Sequence, residues 1–242
     1  MYHLGYYEHY LSLKRKYPGF RFDYPRDWSL KEYGALWIFD IIQSTQAKRV
    51  LEIGCGYDTF FARETQKIGV DYWYIDKSND YLGINKNETR FYNAVAERQQ
   101  YGATFVDGLL GSNNSGLPDA HFDLVFSISV IEHISDEVMP TVIYEIKRIL
   151  LPGAVSAHSV DIYPKSTKAK SWHIYNKKSG LDVPLPYYDR WEFDGKYTTF
   201  IENPKIRYFV YNNLSVDLSS SDVPYASQFA TMLCKSFKPN FP

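Results

Sequence analysis

The sequence predicts an α/β fold: a mostly parallel, seven-stranded sheet with helices on both faces and an irregular aromatic cap after the fifth strand. Three observations predict it. Short apolar runs alternate with helical patterns from Arg49 to Val160, the order that βαβ units produce. The run over 122–129, FDLVFSIS, is too continuous for a strand with one wet face and reads as buried on both. No repeat, low-complexity tract or Gly/Ser linker divides the 242 residues, so one domain over 1–242 is expected.

The elements follow in order. Residues 1–48 form an amino-terminal helical segment, Tyr-rich at first, in which Leu30–Ile42 is a helix and the early tyrosines are either part of a packed helix or a lid. Arg49–Ile53 is the first strand and runs into a glycine turn, which opens a helix over Thr59–Ile68. Tyr72–Ile75 is the second strand, ending at Asp76. A charged helix through Arg98 follows, with Phe91, Val95 and Tyr92 facing inward. Ala103–Val106 ends at Asp107, and Phe122–Ser129 is the central strand. Met139–Leu151 carries Val142, Ile143, Ile146, Ile149 and Leu150 on one side and stops at Pro152-Gly153, which cannot continue a helix. Ala154–Val160 is the fifth strand. Residues 161–205 lose all period and are rich in aromatics and prolines, as expected of an insertion over one end of the sheet. Ile206–Val210 and Ala230–Phe237 close the edge as an antiparallel pair within 206–242.

Composition narrows the function. A hydrophobic fraction of 45% against 23% charged residues supplies a continuous core. A net charge of −1 provides no broad field to gather phosphate backbones, so nucleic acid is not expected as a partner. The longest apolar runs are too short for a bilayer, and the amino terminus lacks a secretory pattern, so no membrane partner and a cytoplasmic setting are expected. Cys55 and Cys234 are the only cysteines and lack metal or disulfide spacing, which fits a reducing compartment. No metal site is expected.

The informative stretch is Val50–Asp58, VLEIGCGYD. A strand entering Gly54-Cys55-Gly56 can turn tightly and let a ligand approach, because neither glycine carries a Cβ. Asp76 ends the next strand twenty residues after Gly56, where a carboxylate can accept both hydroxyl hydrogens of a ribose. The pair indicates a nucleoside-containing cofactor. A dinucleotide fingerprint requires Gly or Ala at position 59, where Thr59 stands, and Asp58 would meet the pyrophosphate at the helix start with like charge. S-adenosylmethionine has no phosphate and carries two cationic groups.

These residues resemble the class I S-adenosylmethionine-dependent methyltransferases, a Rossmann-like family, over about 49–160. The first motif matches Glu52-Ile53-Gly54-Cys55-Gly56, the ribose acid Asp76, and the acid toward the adenine Asp107, followed by Gly108 and Leu109. Phe122-Asp123-Leu124-Val125 continuing to Val130-Ile131-Glu132-His133 is similar to the fourth motif, and Arg148 to Gly153 is similar to the turn before the fifth strand. The frequent third glycine of the first motif is Asp58 here. The resemblance implies a transferase that carries a methyl group to an oxygen or nitrogen of a small-molecule acceptor. Its cofactor residues are then Glu52, Gly54, Cys55, Gly56, Asp76, Asp107, Gly108 and Leu109.

On the acceptor side, His133 follows the central strand and can act as a general base near neutral pH, or position other groups. His158 and Asp161 approach the same rim, though alternation sets them on opposite faces. Trp172, His173 and Tyr175 can wall an acceptor pocket or form the insertion's own core. Two rivals stay open: a nicotinamide-dependent oxidoreductase on the same sheet, and a non-catalytic cofactor-binding protein. A melting shift with S-adenosylhomocysteine but not NAD separates the first rival, and turnover separates the second. Oligomeric state has no signal in the sequence.

Overall fold

The computed structural model describes residues 2–4, 7–20, 29–77, 88–111, 115–131, 134–135, 137–162 and 230–238. The expected strand Ile206–Val210, the segment 163–205 and His133 lie outside them. In chain order the elements are β1 (Tyr2–Leu4), α1 (Tyr7–Lys16), α2 (Ser29–Thr45), β2 (Arg49–Ile53), α3 (Phe60–Lys67) and β3 (Asp71–Asp76). Then follow α4 (Glu88–Gln100), β4 (Thr104–Asp107), β5 (Phe122–Ile128), α5 (Met139–Ile149), β6 (Leu150–Ile162) and β7 (Ala230–Phe237).

The sheet runs β1-β7-β6-β5-β2-β3-β4. Strands β6, β5, β2, β3 and β4 are mutually parallel, while β7 lies antiparallel between β6 and β1. From β2 the chain winds outward through β3 to β4, then returns to lay β5 on the other flank of β2. The connections leaving β2 and β5 therefore diverge, which opens a crevice at their carboxyl ends. As expected for a strand covered on both faces, Phe122, Leu124, Val125 and Phe126 of β5 have no exposure.

Helix α2 sits closely on β6. A Cβ on Gly34 would stand 2.4 Å from Ser159 Oγ and 2.8 Å from its Cβ, so only glycine fits at this crossing. Helix α1 is tied to α2 by polar bonds above an apolar seam containing Tyr10 and Leu13. Tyr10 Oη and Lys14 Nζ each donate to Glu32 at 2.6 Å, and Tyr17 Oη donates to Asp40 Oδ1 at 2.7 Å. Phe20 continues the seam, its ring centroid 3.8 Å from that of Phe60 at the start of α3.

Two expectations are corrected. Helix α5 ends at Ile149, not Leu151, because Leu150 is already extended, with φ −73° and ψ 140°. Pro152 and Gly153 fall inside β6, where Gly153 takes φ 76° and the pairing with β5 shifts between Phe122 and Leu124. Tyr92 is half exposed; the buried face of α4 is instead Phe91, Ala94, Val95 and Arg98.

Gly34→Ala should lower unfolding free energy by about 1–3 kcal/mol through overpacking, although alanine is the better helix former by nearly 1 kcal/mol. Urea titration of both proteins measures the difference. A variant as stable as the parent would show that α2 and β6 have room to separate.

Candidate functional site

The carboxyl end of β2 turns at Gly54 and Gly56, both at positive φ, 68° and 58°. A Cβ at Gly54 would also stand 2.7 Å from Val130 Cγ2 beyond β5, so this glycine lets two strand ends converge. Its N–H is bonded to the Ile75 carbonyl at 2.9 Å. Cys55 is buried, with Sγ 3.8 Å from Asp76 Oδ2. Asp58 folds its Oδ1 onto the Phe60 N–H at 2.5 Å, placing a carboxylate at the start of α3 where exposed amides and the helix dipole favour an anion.

Asp76 and Asp107 end adjacent parallel strands in direct register. Asp76 is nearly buried and accepts from the Gly56 N–H at 2.9 Å through Oδ2 and from the Lys77 N–H at 2.7 Å through Oδ1. Its carbonyl accepts from the Gly108 N–H at 3.0 Å, so Gly108 and Leu109 leave β4 beside it. Asp107 is exposed. Glu52 lies within the sheet, where its carboxylate takes the Tyr72 hydroxyl. Burial pushes its pKa up to about 7, against the opposing effects of the Tyr72 bond and the Arg98 charge.

Helix α4 supplies contacts that the sequence analysis missed. Arg98, with no exposure, points Nη2 at the carbonyls of Cys55 (3.1 Å), Gly56 (3.2 Å) and Asp58. Glu97 Oε1 accepts from Thr59 Oγ1 at 3.1 Å, and the Arg90 guanidinium lies 4.6 Å from the Tyr57 ring centroid. Arg90 and Glu97, seven residues apart, share one exposed flank of α4, while Arg98 stands on its buried face with Phe91, a signal present in the sequence but hidden among other charges.

The acceptor side is described less fully. His158 was expected near the rim, and this is corrected: it is buried, with Nδ1 2.8 Å from Ser127 Oγ and Nε2 2.7 Å from Ser156 Oγ. Strand β6 runs on to Ile162, so His158 is an interior residue of it, and burial lowers its pKa to about 3. Asp161 sits on β6 opposite Thr231 of β7. Ser129, just beyond β5, takes a left-handed φ of 55° and bonds its N–H to the Ser159 carbonyl at 2.8 Å. His133, Trp172, His173 and Tyr175 lie outside the described residues. Among those described, no helix is long and apolar enough to cross a membrane.

Residues 29–218 match the profile of a family described as a methyltransferase domain. The chain belongs to that family. It is a class I methyltransferase domain whose cofactor is S-adenosylmethionine, as the glycine turn and Asp76 anticipated. No curated protein matches the chain in sequence. Among solved structures it is similar to the YcgJ protein of Bacillus subtilis, at 15% identity over 84% of this chain and 97% of that one, TM-score 0.49. It is similar also to the [4+2]-cyclase SpnF, at 14% identity over 84% and 80%, TM-score 0.51. An S-adenosylmethionine-dependent methyltransferase of Mesorhizobium loti matches at 20% identity over 52% of this chain, TM-score 0.38, and the chain spans 54% of that protein's length. At these identities the likeness concerns the fold.

The donor set of the methyltransferase domain fits that cofactor. Asp58 already fills the anion position of α3, which disfavours a pyrophosphate, and Asp76 lies against the turn with Asp107 beside it on the next strand. Asp76 accepts backbone N–H groups at both oxygens, which fixes the plane of a carboxylate at the end of β3.

Two buried groups give opposite pH signatures. His158 has a folded pKa of about 3 against an ordinary 6.5, so its contribution to stability is present above pH 6.5 and is lost as pH falls toward 3. Glu52 has a folded pKa of about 7 against 4.5, so its contribution is present below pH 4.5 and is lost as pH rises through 7. Each changes stability by at most about 1.4 kcal/mol per pH unit. Denaturant titrations between pH 4.5 and 6.5 should therefore show a shallower rise with pH in His158→Gln and a steeper one in Glu52→Gln. Parallel curves for all three proteins would contradict the burial of these groups.

Proposed function

We propose that the domain transfers the methyl group of S-adenosylmethionine to an oxygen or nitrogen of a small-molecule acceptor. The carrying observation is the turn after β2, where Asp58 closes the start of α3 to phosphate while the Asp76 carboxylate is fixed beside the turn at the end of β3. The bound cofactor supplies an electrophilic methyl on a sulfonium. Transfer to a nucleophile needs no covalent help from protein, so the chain's contribution is alignment and, for a hydroxyl acceptor, proton removal. A small acceptor is favoured over nucleic acid by the net charge of −1.

In this reading Asp76 holds the ribose, Asp107 with Gly108 and Leu109 borders the adenine, and Gly54, Cys55 and Gly56 shape the turn beneath the amino-acid end. Glu52 acts from below the turn. Residues 161–205, with Asp161, Trp172, His173 and Tyr175, contact the acceptor; the support is their place directly after β6, at the carboxyl edge where α/β sheets bind ligands. Proton removal falls to His133, which follows β5 by five residues, because the ring nitrogens of His158 are engaged by two serine hydroxyls in the core.

Incubation with methyl-labelled S-adenosylmethionine and a panel of phenols, carboxylic acids, sugars and amines tests the reading, with label expected in a small product. Asp76→Ala should weaken S-adenosylhomocysteine binding tenfold to a hundredfold, the equivalent of about 1.5–3 kcal/mol for charge-assisted bonds. Calorimetry on the folded variant decides it, and unchanged affinity removes Asp76 from the site. With a hydroxyl acceptor, His133→Ala should cut the rate by about 10²–10⁴ and abolish the acidic limb of the pH profile, with cofactor affinity within a few-fold. A near-normal rate with the limb intact would reject the base.

A further inference from the structure

We propose that Arg98 is a positioning residue of the cofactor site, acting on Asp76 through the peptide unit between Cys55 and Gly56. The inference rests on the reading that this rim binds S-adenosylmethionine. The geometry is a chain of three groups. Arg98 Nη2 donates to the Cys55 carbonyl at 3.1 Å, and the N–H of the same peptide, on Gly56, donates to Asp76 Oδ2 at 2.9 Å. In a trans peptide the carbonyl and the N–H point to opposite sides, so this plane is held between a cation and a carboxylate. Donation into the carbonyl polarises the N–H and strengthens its bond to Asp76.

Packing alone does not account for an arginine here. Position 98 continues the buried face of Phe91, Ala94 and Val95, which an apolar side chain would fill without the several kcal/mol of burying a charge. An apolar residue would, however, leave the carbonyls of Cys55, Gly56 and Asp58 without the donor they share. Among the described residues Nε and Nη1 make no hydrogen bond, and the guanidinium carbon lies 4.9 Å from the Tyr74 ring centroid. The hydrogen bonding of this side chain is thus concentrated on the turn. Arg98 does not touch the cofactor in this account; it fixes the residue that does.

The test is a double-mutant cycle read by calorimetry with S-adenosylhomocysteine, using the full chain, Arg98→Met, Arg98→Lys, Asp76→Ala and the combined variants, each checked by thermal melting. Arg98→Met should weaken binding about tenfold to a hundredfold. Arg98→Lys should recover part of the loss, because an ammonium also presents three donors. In the Asp76→Ala background the Arg98 substitutions should cost less than about threefold, since their effect runs through a carboxylate that is no longer there. A loosening of the fold would instead multiply with the Asp76 loss, and that result overturns the proposal. Folded Arg98 variants that bind as the parent does overturn it as well. Should Arg98→Met not fold, the lysine cycle makes the same comparison. A parent protein that fails to bind S-adenosylhomocysteine overturns the cofactor reading itself, an outcome distinct from the other two.

Discussion

At the carboxyl edge of a buried parallel sheet the ladder ends, and the backbone that leaves it must find other partners away from water. Here the end of β2 depends on one guanidinium. Arg98 gathers three carbonyls within four residues, and the Gly56 N–H among them is bonded to Asp76 on the far side. The consequences run outward from the turn. With the turn fixed, Asp58 reaches the first amide of α3, α3 starts at Phe60, and Phe60 meets Phe20 from the amino-terminal segment.

The same accounting explains the tyrosines. Their number raised the prospect of an aromatic ligand pocket, yet Tyr10, Tyr17, Tyr33, Tyr72 and Tyr74 are rings of the core or packed against it with a hydroxyl bonded to a neighbour, while Tyr92 and Tyr144 are exposed. Tyr72 and Tyr74 stack beneath the turn, their hydroxyls on Glu52 and the Val95 carbonyl. Tyr10 and Tyr17 bind the carboxylates of Glu32 and Asp40 and fasten α1 to α2, and Tyr33 shares a contact of 2.7 Å with His9 Nδ1. A tyrosine buries a large ring and still satisfies a buried acceptor, which suits a domain that joins its layers through polar as well as apolar contacts. His158 serves the same end between β5 and β6, where its two ring nitrogens meet the buried hydroxyls of Ser127 and Ser156.

Much of this was legible in the sequence, for identifiable reasons. The strands of the parallel core are nearly uninterrupted apolar runs, and the glycine turn and Asp76 are separated by the length of one helix and one strand. Both are local signals. What escaped depended on tertiary pairing. Strand β1 is three residues that become a strand only because β7 offers an edge. The start of β6 at Leu150 hides behind Pro152-Gly153, which read as a stop and act as an irregularity against β5. His158 was set at the rim because the length of β6 past Val160 could not be read from its pattern. Arg98 lies seven residues after Phe91, on the apolar face, but a cation near a helix end reads as a solvated residue complementing the dipole. The proposed cofactor residues, all within 52–109, were therefore open to local reasoning. The proposed acceptor residues follow strand ends that are far apart in sequence.

The distribution of unfavourable groups completes the argument. Glu52 and Arg98, an acid whose pKa is driven up by burial and a cation with no solvent, both lie under the turn. Neither is a good choice for stability alone, since apolar side chains in their places would avoid the desolvation. Arg98 holds a glycine-containing segment, which in isolation would sample many conformations, in one arrangement before any ligand arrives. The ordering cost is then borne in folding, and in the proposed site it is not repeated in binding. Two backbone amides define the plane of the Asp76 carboxylate, and one of those amides is itself held from behind.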